Sequence, residues 1–202
     1  MKENFSRSSK QPIMRILFIA IAIIFILSAL VLWMRLFNVT NKEPILDEYG
    51  YRTGYYKDSN YVYVSNVIIE DADPVTFIAF YCNYGKCYAK DKNVVYFGTS
   101  TIEYADAKTF TGREAHGWDT NYVYYEGNII LGADPSTFTQ VTIYYSMDAQ
   151  HVYYKSRVIP EADPKTFEAI GDYQYAKDAN YVYSYGEVML GVDPDTFKFE
   201  QG

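Results

Sequence analysis

Asp119-Thr120-Asn121-Tyr122-Val123-Tyr124-Tyr125-Glu126-Gly127-Asn128-Ile129-Ile130-Leu131-Gly132-Ala133-Asp134-Pro135-Ser136-Thr137-Phe138 is the stretch that decides the fold. Tyr122 to Tyr125 is β-branched and aromatic, the composition of a strand. Glu126-Gly127-Asn128 is turn chemistry, and Ile129 to Leu131 is a returning strand. Upstream, Asp119-Thr120-Asn121 makes a second turn, because Asp and Asn side chains bond their own backbone. An earlier strand, ending near Tyr88 in one copy and Tyr175 in another, feeds that turn. The unit is therefore a short antiparallel meander.

Five copies of it fill the chain from about Tyr49 onward. Each opens on an Asp (Asp58, Asp91, Asp119, Asp148, Asp178), followed at a fixed distance by Val-Tyr: Val62-Tyr63, Val95-Tyr96, Val123-Tyr124, Val152-Tyr153, Val182-Tyr183. The opening aspartates are spaced by 33, 28, 29 and 30 residues, so one connection varies while the unit stays rigid. A period of this size signals a repeat architecture. Strand alternation puts Val on one face and Tyr on the other, and the recurrence of both predicts that both faces pack.

A second Asp closes each copy: Asp73, Asp106, Asp134, Asp163 and Asp193. In Asp134-Pro135-Ser136-Thr137-Phe138 the Asp is a helix cap and Pro a preferred first helical residue, so one helical turn is expected there. Thr137 is expected to bond back to the cap backbone, and Phe138 to drop into the core. One meander cannot bury its own face, so neighbours must stack. The expected fold is an all-β repeat array of stacked short meanders, with a small five-bladed propeller as the alternative.

Ahead of the repeats, Ile16 to Met34 carries no charge. Nineteen helical residues span about 28 Å, enough for the hydrocarbon core of a bilayer. Arg15 and Arg35 bracket the run, and the basic residues upstream place the N-terminus in the cytoplasm. Arg35 follows directly where a cleaved leader would need small residues, which favours an uncleaved signal-anchor. The expected organisation is a cytoplasmic segment 1–15, a transmembrane helix 16–34, a linker 35–48 and the repeats 49–202. The repeats then lie in the periplasm or outside, on a single-pass inner-membrane protein.

Charge divides at the same place. The chain is −7 overall, and residues 1–37 are net +4, which leaves −11 for the rest. A domain that acidic repels phosphates, which argues against nucleic acid as a partner. The two cysteines, Cys82 and Cys87, lie in the longest connection between copies, and in an oxidising compartment a disulfide is the plain reading. Free thiols and a metal site are the alternatives.

Lys57-Asp58-Ser59-Asn60-Tyr61-Val62-Tyr63, Lys90-Asp91-Lys92-Asn93-Val94-Val95-Tyr96 and Lys177-Asp178-Ala179-Asn180-Tyr181-Val182-Tyr183 resemble the bacterial DKNYY family, and Ala-Asp-Pro-x-Thr-Phe resembles its usual continuation. The resemblance covers about residues 49–199 and implies an envelope location; it carries over no catalytic residues. Copies three and four depart from it at Trp118 and Met147, which suggests turns that are more exposed or used differently. No nucleophile motif accompanies His116 or His151, each in a slot held elsewhere by Tyr, so the chain reads as no enzyme. No cofactor is expected, and Asp-x-Asn lacks the rest of a calcium loop. The expected role is an anchored binding or scaffolding module whose partner, beyond the bilayer, is an envelope glycan or another envelope protein. An anchored enzyme or calcium-dependent protein acting on an envelope glycan is the alternative. Candidate binding aromatics are Tyr84, Trp118 and Tyr185, since flat amphipathic rings suit sugars and peptides.

Overall fold

The structure is a computed structural model and describes residues 19, 21–30, 42–81, 86–171 and 173–199. The chain divides between Lys42 and Glu43. On the first side residues 21–30 are helical, with exposed Ile23, Ile24, Phe25 and Ile26. No helix among the described residues is long and apolar enough to cross a membrane. Residues 16–18, 20 and 31–34 of the expected anchor lie outside the described residues.

The second part holds five four-stranded antiparallel sheets, each with its strands side by side in chain order. The first comprises β1 (Glu43–Leu46), β2 (Arg52–Lys57), β3 (Val62–Val64) and β4 (Val67–Ile69). The second comprises β5 (Ile78–Ala79), β6 (Tyr88–Lys90), β7 (Val95–Phe97) and β8 (Ser100–Thr101). The third is β9 (Thr111–Arg113), β10 (His116–Trp118), β11 (Val123–Tyr125) and β12 (Asn128–Ile129). The fourth is β13 (Thr139–Gln140), β14 (Tyr145–Met147), β15 (Val152–Tyr154) and β16 (Arg157–Ile159). The fifth is β17 (Glu168–Ile170), β18 (Tyr175–Lys177), β19 (Val182–Ser184) and β20 (Glu187–Val188).

Each unit thus has one strand more than the meander read from sequence. The added strand follows the Thr-Phe step and pairs with the strand that feeds the Asp turn, as Gln140 pairs with Ser146. The first sheet also begins at Glu43, inside the stretch read from sequence as linker.

The repeated residues earn their places through packing and bonding across units. Val62, Val95, Val123, Val152 and Val182 are buried on one face, and Tyr63, Tyr96, Tyr124, Tyr153 and Tyr183 on the other. Every apolar cluster spans two successive sheets. Tyr55 and Val62 join Phe77 and Tyr96; Tyr88 and Val95 join Phe110 and Tyr124; Val123 and Ile130 join Tyr153; Tyr145 and Val152 join Phe167 and Tyr183. Among the described residues no core cluster joins the fifth sheet to the first. Stacking of neighbours, not the interior of any one sheet, holds the array together.

From the second unit on, the opening Asp both closes its own turn and grips the unit before; Asp58 closes its own turn. Asp91 Oδ1 accepts the N–H groups of Asn93 and Val94, both at 2.8 Å. Its Oδ2 accepts the Tyr96 hydroxyl at 2.9 Å and, from the preceding unit, the Asp73 N–H at 3.0 Å. The same four bonds recur at Asp119, Asp148 and Asp178. The Tyr hydroxyl ends on this carboxylate.

The closing aspartates sit at single turns. Asp106 accepts the Lys108 N–H and the Thr109 hydroxyl, and its carbonyl takes the Phe110 N–H at 2.9 Å in one α-type turn. Asp73, Asp134 and Asp163 bond the same two partners two and three residues on. At Asp193 the N–H of Asp195 keeps its bond, while Thr196 donates to the Asp193 carbonyl. Thr137 therefore bonds the cap side chain, not the cap backbone as the capping-box analogy predicts. Its oxygen also accepts the Ala149 N–H of the next unit at 3.2 Å. These bonds hold the Asp134 carboxyl below its usual range: the Ser136 hydroxyl first, then the Ser136 N–H and the Thr137 hydroxyl. Replacing Asp134 with alanine is expected to lower Tm by roughly 3 °C, the size of a lost cap in a domain of this length. An unchanged unfolding curve would remove the capping role.

Candidate functional site

Three of the four pairs of successive sheets are locked by a tyrosine on the second strand of the leading sheet. The Tyr55 hydroxyl lies 2.7 Å from the Cys87 carbonyl and 3.0 Å from that of Gly98. Tyr88 donates to the Ala115 carbonyl (3.2 Å) and accepts the Gly127 N–H (2.9 Å). Tyr145 donates to the Gln174 carbonyl (3.0 Å) and accepts the Gly186 N–H (2.9 Å). Burial pushes the Tyr55 and Tyr88 hydroxyls far above the usual tyrosine range, so they act as neutral donors. Each lock grips the tight turn after the third strand of the next sheet. The first residue of that turn is left-handed in all five units: Ser65, Gly98, Glu126, Lys155 and Tyr185. Two-residue turns of this hand suit the twist of the strands they join.

The third sheet's turn, Glu126-Gly127, borders a cleft of about 550 Å³ that runs over the second and third sheets to Ile143. Its apolar lining is Phe97, Ile102, Ala115 and Ile143. Its polar lining is Lys86, Ser100, Thr101, Glu126 and Asn128. Ser100 and Thr101 form β8, and Asn128 begins β12; both are edge strands, whose outer backbone groups have no strand partner. The lining thus offers hydroxyls, an amide and free backbone groups, with one charge of each sign. Gly127 is needed where the sheets meet: it is left-handed (φ 83), and a Cβ there would lie 3.3 Å from Phe97.

Neither Trp118 nor Tyr185 lines this cleft. Trp118 is half-buried, its ring 5.3 Å from that of Phe138, so it packs between sheets three and four. Met147, the other departure from the motif, packs into the core of sheets four and five. Tyr185 is exposed at the left-handed turn position of the fifth sheet. Tyr84 lies outside the described residues. Cys87 is buried and disulfide-bonded, and Cys82 lies outside the described residues. The cleft residues were missed because they occupy the positions that vary between copies. That variability on a fixed frame was the available signal: Gly98-Thr99 in one unit stands where Glu126-Gly127 stands in the next.

No group of three or more His, Cys, Asp or Glu able to hold a metal occurs among the described residues. Asp91, Asp119, Asp148 and Asp178 carry four donors each and Asp58 at least three, so a cation would have to displace bonds that build the turn. His151 sits in the Asp148 turn, its Nδ1 3.7 Å from Asp148 Oδ1.

Sheet, turn and joint together define a class: a tandem all-β repeat protein cemented by tyrosine. The model of the DKNYY family matches residues 38–157, and the chain belongs to that family. The match ends within the fourth sheet, and the fifth repeats the same bonds. No curated protein and no solved structure matches the chain.

Proposed function

We propose that the chain is a membrane-anchored, extracytoplasmic binding module of the bacterial envelope, and that its cleft takes a segment of neutral glycan. The cleft carries this reading, since an apolar floor with a rim of hydroxyl, amide and backbone groups suits polyhydroxylated rings. The charge of the repeats supports it, because a strongly acidic domain disfavours polyanions. The uncharged run Ile16 to Met34 and the basic residues before it support the anchor and its orientation.

The test is thermal unfolding of the detergent-solubilised full chain with purified cell-wall glycan fragments. Fragments at 100 times their dissociation constant add about 2.7 kcal/mol to the folded state. A clear rise in Tm is therefore expected, and Asn128→Ala should shrink it while leaving the ligand-free Tm in place. A Tm unmoved by any fragment would sink the glycan reading and turn the search toward a protein partner.

A further inference from the structure

Three of the four joints are closed by a tyrosine hydroxyl, and the third is not. There the slot belongs to His116 on β10, fully buried, with its ring 5.1 Å from Tyr125 and 5.8 Å from Phe138. Neither ring nitrogen has a protein partner. The backbone that a tyrosine would bond is nonetheless built: Lys155 N–H donates to the Tyr144 carbonyl, as Glu126 N–H does to Ala115 and Tyr185 N–H to Gln174. Ala115 and Gln174 carbonyls accept the locks of Tyr88 and Tyr145, which makes the Tyr144 carbonyl the equivalent acceptor.

Two more groups lack a partner at the same place. Ser146 Oγ is fully buried and unpartnered on β14. Gln140 gives its amide to Glu114 at 2.8 Å and leaves its buried Oε1 unpartnered. Gln140 and Ser146 are direct cross-strand partners, so their side chains share a face. The repeat shows which face it is. Gln140 and Ser146 occupy the positions of Gly112 and Gly117: a Cβ on Gly112 would lie 2.9 Å from the Tyr88 side chain, and one on Gly117 would meet the Phe110 ring first and the Tyr88 ring at 3.2 Å, Tyr88 being the lock of the joint before. The Ser146 side chain accordingly lies on the face packed by Phe138 and His116. All the unpartnered buried side-chain atoms among the described residues belong to the two sheets that meet at this joint.

We infer that the third joint is a buried hydration site, in which water takes the place held by the tyrosine hydroxyl at the other joints. Imidazole is shorter than phenol, which leaves room at its tip, and the surroundings are polar, as a buried water requires. Neutral imidazole supplies one N–H donor and one acceptor; the Ser146 hydroxyl supplies both, and Gln140 Oε1 and the Tyr144 carbonyl accept. A water among them finds two to four partners, the number found for conserved internal waters.

The test is X-ray density for the full chain at neutral pH, compared with H116Y. The wild type is expected to show ordered water within hydrogen-bond distance of a His116 nitrogen. In H116Y the new hydroxyl should stand where the water stood, and Tm should rise by several degrees because a direct lock replaces a bridged one. Wild-type density that shows a dry joint, or His116 bonded straight to protein groups, overturns the inference. So does a properly folded H116Y whose hydroxyl points elsewhere. Should H116Y not fold, the wild-type density decides alone.

Discussion

Asp91→Ala is expected to destabilise the repeats by about 3 kcal/mol, several times the cost of losing a cap at a closing aspartate. Asp91 is buried, and alanine there strands four donors at once: the N–H groups of Asp73, Asn93 and Val94 and the Tyr96 hydroxyl. A buried donor left without a partner costs about 1–3 kcal/mol, and water reaches some of these sites, so the sum stays below the arithmetic total. Burial pushes the Asp91 carboxyl up, but the four bonds outweigh it and hold it below the usual range. Asp91→Asn should recover part of the loss, since its carbonyl keeps one acceptor. Denaturant unfolding measures both. A change in the Asp91→Ala variant below about 0.5 kcal/mol, the level of an ordinary surface substitution, would mean that the carboxylate does not cement the joint.

The second large effect is acid sensitivity centred on His116. Burial lowers its pKa from 6.5 to about 3. The folded chain therefore keeps the ring neutral over a range in which the unfolded chain protonates it. A folded pKa below the unfolded one means that the unfolded state gains protons first as pH falls through 6.5, so stability falls with pH from there down to the folded value. The loss between pH 7 and pH 5 is about 2 kcal/mol. The aspartates act in a separate window: Asp91, Asp148 and Asp178 lie below their usual value of 3.8, and their contribution is lost only as pH falls beneath it. Unfolding free energies measured from pH 7 to 5 isolate the histidine, and H116Y should flatten the slope. A flat profile in the wild type would show that His116 takes up its proton without unfolding.

Much of this was legible in the chain. The period, the burial of Val and Tyr, the Asp turns and the closing turns follow from local chemistry that each copy repeats. The fourth strand was not legible, because Thr139–Gln140 or Ile78–Ala79 is too short to show alternation. β1 was hidden for a related reason: Pro44 and a neighbouring turn make Glu43–Leu46 read as linker. The reach of Asp91 Oδ2 back to Asp73 N–H joins residues eighteen apart and leaves no local mark. His116 was read correctly as a stand-in for an aromatic, but only the joint shows what the substitution removes. Trp118 misled because departure from a motif suggests exposure, whereas Phe138 offers it a packing partner.

The tyrosine locks all point forward along the chain. Tyr175 has Phe197, as every slot residue has its Thr-Phe ring, and also Phe199 at 5.3 Å. A Cβ on Gly171 would collide with that second ring. In the other units the position of Phe199 holds Ala79, Gly112, Gln140 or Ala169. Such a chain is free to gain or lose whole copies by duplication or deletion at an internal joint, because both halves of the lock are copied together. Changes in repeat number are thus expected at the internal joints.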